Sequence, residues 1–371
     1  MADAPLILEK AHVLCYRTFD IAEEINLELA RRVVSADARR LKLGRDNSQY
    51  LQLPNPPLAF ELGRRALALR GGPVTVDVTA RLFDHGAASI ILRVPVTPGT
   101  RLDALTALAD ELYDSVALEE LALELIESVR QTIAPAILLP HLWDQNESYT
   151  VLFVERLQGN PSAEELVARA DLARLLLGEV GHRPLSTRER ESVTQARFSY
   201  TVDDLVVVDW NSAFVYEPSG SNDIPDLLEV ANAQLLEFRY YDHLLDAHMG
   251  RIHDQVQARR NDWRALLRSP YRGLARETLT TLVDLNEFVE RVENSLKIIG
   301  DFYLAKVYEA AIRRMRIPAW QASVTRKQQL LTQTYSLLKG EVDTARSLTL
   351  ELMIVVLIIL EVLFVVLPVK H

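Results

Sequence analysis

Between His12 and Tyr216 the apolar positions switch repeatedly between a two-residue and a 3.6-residue period, the mark of strands mixed with helices. His12 to Phe19 reads as a strand, and Ile21 to Val34 follows with helical spacing. Residues 44–58, with Gly-Arg-Asp-Asn-Ser and then three prolines, read as a loop. Val74 to Phe83 and Ala87 to Val96 alternate on either side of Asp84-His85-Gly86, which predicts a hairpin. Amphipathic helices are expected over 101–114, 116–132 and 162–177, with a strand over Tyr149–Leu157 and another helix opened by Ser186-Thr187. Asp204 to Tyr216 reads as a closing strand. Strict βαβ alternation is missing, so residues 1–220 are expected to form an α+β domain.

After Pro225 the pattern becomes helical throughout, broken at Ser269-Pro270 and at Pro318. Leu282, Leu285, Val289, Val292, Leu296, Ile299 and Tyr303 repeat at spacings of three and four, a weaker seam runs from Phe238 to Ile252, and a third runs from Val324 to Leu352. This predicts a long antiparallel coiled-coil stalk over 221–346. From Leu352 to Val369 there are 15 Leu, Ile, Val or Phe residues and one acid, Glu361. Summed insertion preferences of about −6 kcal/mol outweigh roughly 3 for the charge, which predicts a C-terminal transmembrane helix over 347–371. On that reading the protein is tail-anchored and single-pass in the cytoplasmic (inner) membrane, with its N-terminal domain in the cytoplasm and the lipid bilayer as a partner. The N-terminus, Met1-Ala2-Asp3-Ala4-Pro5, has no basic, long-apolar signal pattern, so the front is expected to stay where it is made.

Composition and charge narrow the classes. The chain is 371 residues, 49% hydrophobic and 25% charged, which excludes wholesale disorder. One cysteine, Cys15, excludes an intrachain disulfide or a multi-cysteine zinc site. The net charge of −10 argues against a generally basic nucleic-acid binder. That balance sits wholly in residues 1–220, with 22 basic and 32 acidic groups, whereas 221–346 holds 18 and 17.

The search for chemistry returns few leads. No P-loop, dinucleotide fingerprint, HExxH, GxSxG or CxxC occurs. His243, His248 and His253 fall five apart and so do not share a helix face. No catalytic, cofactor-binding or metal-binding residue is assigned, and no cofactor is expected. Asp203, Asp204 and Asp209 flank an apolar strand, where an Asp either ties the strand end to backbone N–H groups or presents a carboxylate for chemistry. The first role is favoured because no second catalytic group is visible by spacing. Arg260, Arg264, Arg268, Arg272 and Arg276 recur every four residues with Arg259 beside them, a stripe that would either grip a polyanion or form intra-stalk ion pairs. Glu351 within the apolar tail marks its edge, and Glu361 is either an intramembrane contact or ion-linked site in an oligomer, or a neutral acid tolerated in the span.

Four segments resemble the "required for meiotic nuclear division" family. They are Asp204-Leu205-Val206-Val207-Val208-Asp209-Trp210-Asn211-Ser212-Ala213; Glu229 to Glu237 running on through Arg239-Tyr240-Tyr241-Asp242; Arg291 to Lys297 through Gly300-Asp301 to Tyr303; and the tail with Leu350-Glu351 and Glu361. The resemblance makes Asp204, Asp209, Trp210 and Asn211 a family motif. It implies a membrane-anchored, non-catalytic protein, whose mitochondrial members support translation at the inner membrane. The expected function is therefore a tail-anchored membrane scaffold holding a protein or ribonucleoprotein partner, with a homo-oligomer through the stalk also open. The alternatives are a membrane-anchored enzyme using Asp203, Asp204 or Asp209, or an intramembrane oligomer organised by Glu361.

Overall fold

A computed structural model describes residues 5–34, 38–40, 55–181, 183–258, 271–295 and 302–366, with side chains omitted at 258, 287–295 and 364–366. The chain divides into two units, Met1–Tyr240 with Arg291–Trp320, and Tyr241–Glu290 with Gln321–His371.

In the first unit, β1 (Leu8–Asp20), β2 (Ala22–Ile25), α1 (Leu27–Val34) and β3 (Arg39–Arg40) are followed by β4 (Leu58–Leu69), β5 (Gly72–Leu82) and β6 (Ala87–Pro95). Helices α2 (Leu105–Tyr113) and α3 (Val116–Thr132) lead to β7 (Ile137–Pro140) and β8 (Asn146–Leu157). Short helices α4 (Ala163–Arg169), α5 (Leu172–Leu177) and α6 (Thr187–Val193) precede β9 (Arg197–Phe198), β10 (Leu205–Val208) and β11 (Ser212–Tyr216). Among the described residues four helices follow: α7 (Asp223–Ala258), α8 (Arg272–Ser295), α9 (Phe302–Arg314) and α10 (Ile317–Val366).

Nine strands form one sheet in the order β3-β4-β5-β6-β1-β8-β11-β10-β9, and β2 pairs with β7 apart from it. Among the described residues only β11 against β8 is parallel. The long strand β1 is buried from Ala11 to Asp20 without polar alternation because both faces of the sheet are covered. On one face Val13, Cys15, Val78, Ile90 and Leu152 pack with Leu112, Leu118, Ile126 and Val129 of α2 and α3. Each such side chain adds about 1.5–3 kcal/mol by burial, and Ile126→Ala would cost about 2–5 kcal/mol. On the other face Phe83, Ala87 and Trp143 pack with Val230, Ala233 and Leu236 of α7. The α+β domain is thus a large mixed sheet with helices.

The separate coiled-coil stalk expected over 221–346 is not what these residues form. From Leu227 to Phe238 every residue of α7 is buried, whereas a seam helix buries only its a and d positions. That half of α7, and α9 as well, belong to the first unit. Within the second unit, His248 meets Thr278 at 3.2 Å, Lys327 meets Asp242 at 2.9 Å and Gln328 donates to Asn286 at 2.6 Å. Leu282 and Leu285 of the predicted seam are buried there; Val289, Val292, Leu296 and Ile299 lie outside the described side chains.

The C-terminal expectation is also corrected. Among the described residues, no helix is long and apolar enough to cross a membrane. Glu351 and Glu361 bracket an uninterrupted apolar run of only nine residues, Leu352 to Leu360. At 1.5 Å per residue that is about 14 Å of helix, against about 30 Å of hydrocarbon. The tail anchor and the single-pass localisation in the cytoplasmic membrane fall together. The membrane scaffold, the membrane-anchored enzyme and the intramembrane oligomer through Glu361 all rest on that span and go with it.

Candidate functional site

The face of the sheet that receives α7 is built from three cross-strand rows. Strand alternation places Asp77, Thr79 and Arg81 of β5 on this face, and registry aligns each with its neighbours. The first row is Arg64-Asp77-Arg93-Leu14, the second Glu61-Thr79-Ile91-Tyr16, and the third Ala59-Arg81-Ser89-Thr18-Glu147. Polar groups in the third row are met by α7. Arg81 binds Asp226 at 2.9 Å and Glu229; Asn232 donates to Thr18 at 3.1 Å; Arg239 binds Glu147. The first two rows extend past the first turn of α7 and stay open. They form, with Asn222 and Asp226, a cleft of about 490 Å³.

Three arginines and three acids line that cleft. Arg64 Nε pairs with Asp77 at 3.1 Å, and Arg81 is occupied by its two carboxylates. Arg93 is exposed and has no carboxylate partner among the described residues; its Nη2 lies 3.0 Å from His12 Nε2. Burial first, then the charges of Arg93 and Lys10, hold His12 down at about 3. The ring is therefore neutral near pH 7, accepting from Arg93 while its Nδ1 side faces Glu155 at 3.8 Å. Asp77 is the cross-strand neighbour of both Arg64 and Arg93 and pairs with Arg64, so one carboxylate stands between two guanidinium charges in this row. Glu61, the acid not paired with a cleft arginine, stands on β4, two strands or about 10 Å of backbone from β6.

Arg81 is only 7% exposed, and its Nε has no hydrogen-bond partner. Burial pushes Glu229 up to about 7 against the pull of Arg81, with Asp226 adding repulsion. Burial likewise raises Asp226, opposed by Arg81. Tyr16 on the cleft floor is raised well above its ordinary value by burial, then by Glu229 and Asp226, so it keeps its proton and can only donate or accept a hydrogen bond. What converges here is charge; among the described residues no nucleophile paired with a general base lines the cleft.

A second polar cluster lies at the other end of the α7 contact. His141 Nε2 meets Asp20 at 3.0 Å and stacks on Tyr240, and His85 Nε2 lies 3.9 Å from Glu237. Burial raises Asp20 against the pull of His141, and Asp20 in turn outweighs burial to raise His141. Among the described residues no group of three His, Cys, Asp or Glu could hold a metal ion. This cluster docks the helix. Another cleft, of about 540 Å³, lies between Arg101 and Arg174, but Arg101 is bound to Asp103 and Arg174 to the Arg183 carbonyl.

Residues singled out from the sequence lie elsewhere. Asp204 accepts from the backbone N–H groups of Tyr200 at 2.7 Å and Thr201 at 2.6 Å, and Asp203 accepts from the Thr201 hydroxyl. Asp209 is buried and binds Arg314; Trp210 is 61% exposed in the turn between β10 and β11; the Asn211 carbonyl accepts from Thr150. None of them lines the cleft. Arg272 and Arg276 are exposed, whereas Arg259, Arg260, Arg264 and Arg268 lie outside the described residues. Glu351 and Glu361 are exposed on α10. The cleft residues Arg64, Asp77, Arg81 and Arg93 went unremarked in the sequence. Their signal was there: polar groups at 77, 79, 81 and 93 share one face of a hairpin whose other face is apolar.

Comparison with known proteins gives a family and no activity. No solved structure matches the chain. Uncharacterized protein MJ0711 of Methanocaldococcus jannaschii is 23% identical over 171 residues, 46% of this chain. The alignment covers 51% of that relative, so the chain spans about half its length. The family described as "Uncharacterized protein MJ0711, N-terminal domain" matches residues 10–223, more than half the chain and all of its nine-stranded sheet from β1's Lys10 onward. The chain belongs to the MJ0711 N-terminal domain family.

Proposed function

We propose that the sheet unit is a binding domain for a small oxyanion, carboxylate or phosphate-like, seated in the cleft at Arg93. The observation that carries this reading is Arg93 itself, a cation facing the cleft whose contact, His12, is neutral. Arg64 lies in the same row across Asp77, and Arg81 lines the inner wall. A guanidinium hydrogen bond to an anion is worth about 1.5–3 kcal/mol, tenfold or more in affinity. The likeness of four segments to the "required for meiotic nuclear division" family supports no ligand by itself; it remains a proposal of kinship resting on those residues.

The test is calorimetric titration with sulfate at low ionic strength. Arg93→Gln is expected to weaken binding at least tenfold while the fold is kept, because Arg93 is exposed. Arg188→Gln, an exposed cation on α6, should bind as the parent does. Equal binding by Arg93→Gln and parent would refute the seat.

A further inference from the structure

Arg81 joins two environments. Arg81 and Asp226 line the inner wall of the cleft, and the fully buried Glu229 carboxylate binds Arg81 from the other side. One cation between two carboxylates leaves a buried net charge of −1 at the wall when both acids are ionised. An anion in the cleft then meets repulsion that Arg81 cannot offset, since its charge is already shared. One proton on the pair removes the excess and leaves Arg81 balanced by a single carboxylate, so the repulsion at the wall is gone. We infer that the cleft takes up its anion together with a proton, which is held by the Asp226–Glu229 pair bound to Arg81. This rests on the anion-binding reading above and specifies how that site is regulated.

The groups facing the pair are few. Arg81 comes from β5, Tyr16 from β1 and the Ser89 hydroxyl from β6, while Asp223 adds negative charge from the first turn of α7. Toward the cleft stand Arg93, Arg64 and Asp77, with Glu61 beyond. Tyr16 is held protonated, and His12 titrates near 3, far from neutrality. Glu229 is the member poised near neutral pH. The sign follows: the protonated pair favours the anion, so affinity rises as pH falls, and bound anion raises the acid's affinity for its proton.

Sulfate is the probe because it keeps its double charge throughout the range. Its affinity, measured by calorimetry on the full chain, is expected to fall about tenfold between about pH 6 and about pH 8.5. In Glu229→Gln, which has no proton to exchange, it should stay flat near the low-pH value. Titrations in two buffers of different ionisation enthalpy count the protons on the parent alone, and net uptake is expected at pH 7.5. Equal affinity across the range, no proton uptake, or an unchanged slope in Glu229→Gln would overturn the linkage and leave the anion site standing. No sulfate binding at any pH, by parent or variant, would remove the anion site and the linkage with it.

Discussion

Gly86 turns the hairpin between β5 and β6 at φ +102°, and a Cβ added there would lie 1.7 Å from the Ala22 carbonyl oxygen. That closeness is bonded, since Ile21 N–H donates to the Gly86 carbonyl at 3.1 Å, and it holds His85 where Glu237 passes. Gly86→Ala should therefore cost at least about 3 kcal/mol in urea unfolding, through clash and left-handed strain together. Arg316 is the converse case, a non-glycine at φ +60° between α9 and α10; Arg316→Gly should gain up to about 1 kcal/mol. His12 gives a pH signature. Its folded value near 3 is depressed from 6.5, so its contribution is complete above 6.5 and is lost as pH falls toward 3. Unfolding free energy should lose about 1.4 kcal/mol per pH unit from this group across that window, a slope that His12→Gln removes. At this scale a site made of cross-strand neighbours leaves no motif in the sequence. Arg64, Asp77 and Arg93 are scattered over thirty residues and meet only through registry.

At the scale of elements, α7 shows why a helix can bury charge. Glu147 is 8% exposed, and Arg239 covers it from α7 while also donating to Gln145 at 3.0 Å and lying 5.8 Å above the Trp320 ring. Burial raises Glu147 and Arg239 pulls it back. Arg239→Met would strand the carboxylate at a cost of about 3–5 kcal/mol, and adding Glu147→Met should recover most of it. Hydrogen exchange along residues 227–238 checks the element directly: protection should drop in the single variant and return in the double. The hairpin, β1, β8 and the helix over 116–132 were legible because period and length agreed. Residues 21–34 were not, since Ala22–Ile25 pairs with β7 before α1 begins. The strand β4 was missed because Gly63, at φ +80°, inserts a bulge that shifts its alternation midway. The stretch 204–216 is two strands turned at Asp209-Trp210-Asn211, where polar residues divide two short apolar runs that read together as one strand. The heptads of 282–303 were real periodicity, but Tyr303 belongs to the first unit and not to one continuous seam.

For the whole molecule, a chain with a net charge of −10 carries the cleft proposed to seat an anion. Global charge sets the long-range field, which salt screens within about 10 Å, and the local row Arg64-Asp77-Arg93 decides what happens inside that distance. Steering of an anion should therefore be weak while its seating is firm, and added sodium chloride should lower affinity through competition at Arg93. The apolar C-terminal run misled at this scale because summed hydropathy outweighed two interrupting glutamates, whereas an uninterrupted length of nine residues is what the helix offers. The most direct measurement is an anomalous diffraction map of a crystal soaked in selenate. The account predicts a selenium peak in the cleft within hydrogen-bonding distance of the Arg93 guanidinium, absent in Arg93→Gln. An empty cleft at a selenate concentration that saturates the protein in solution, or a peak away from Arg93, would contradict it.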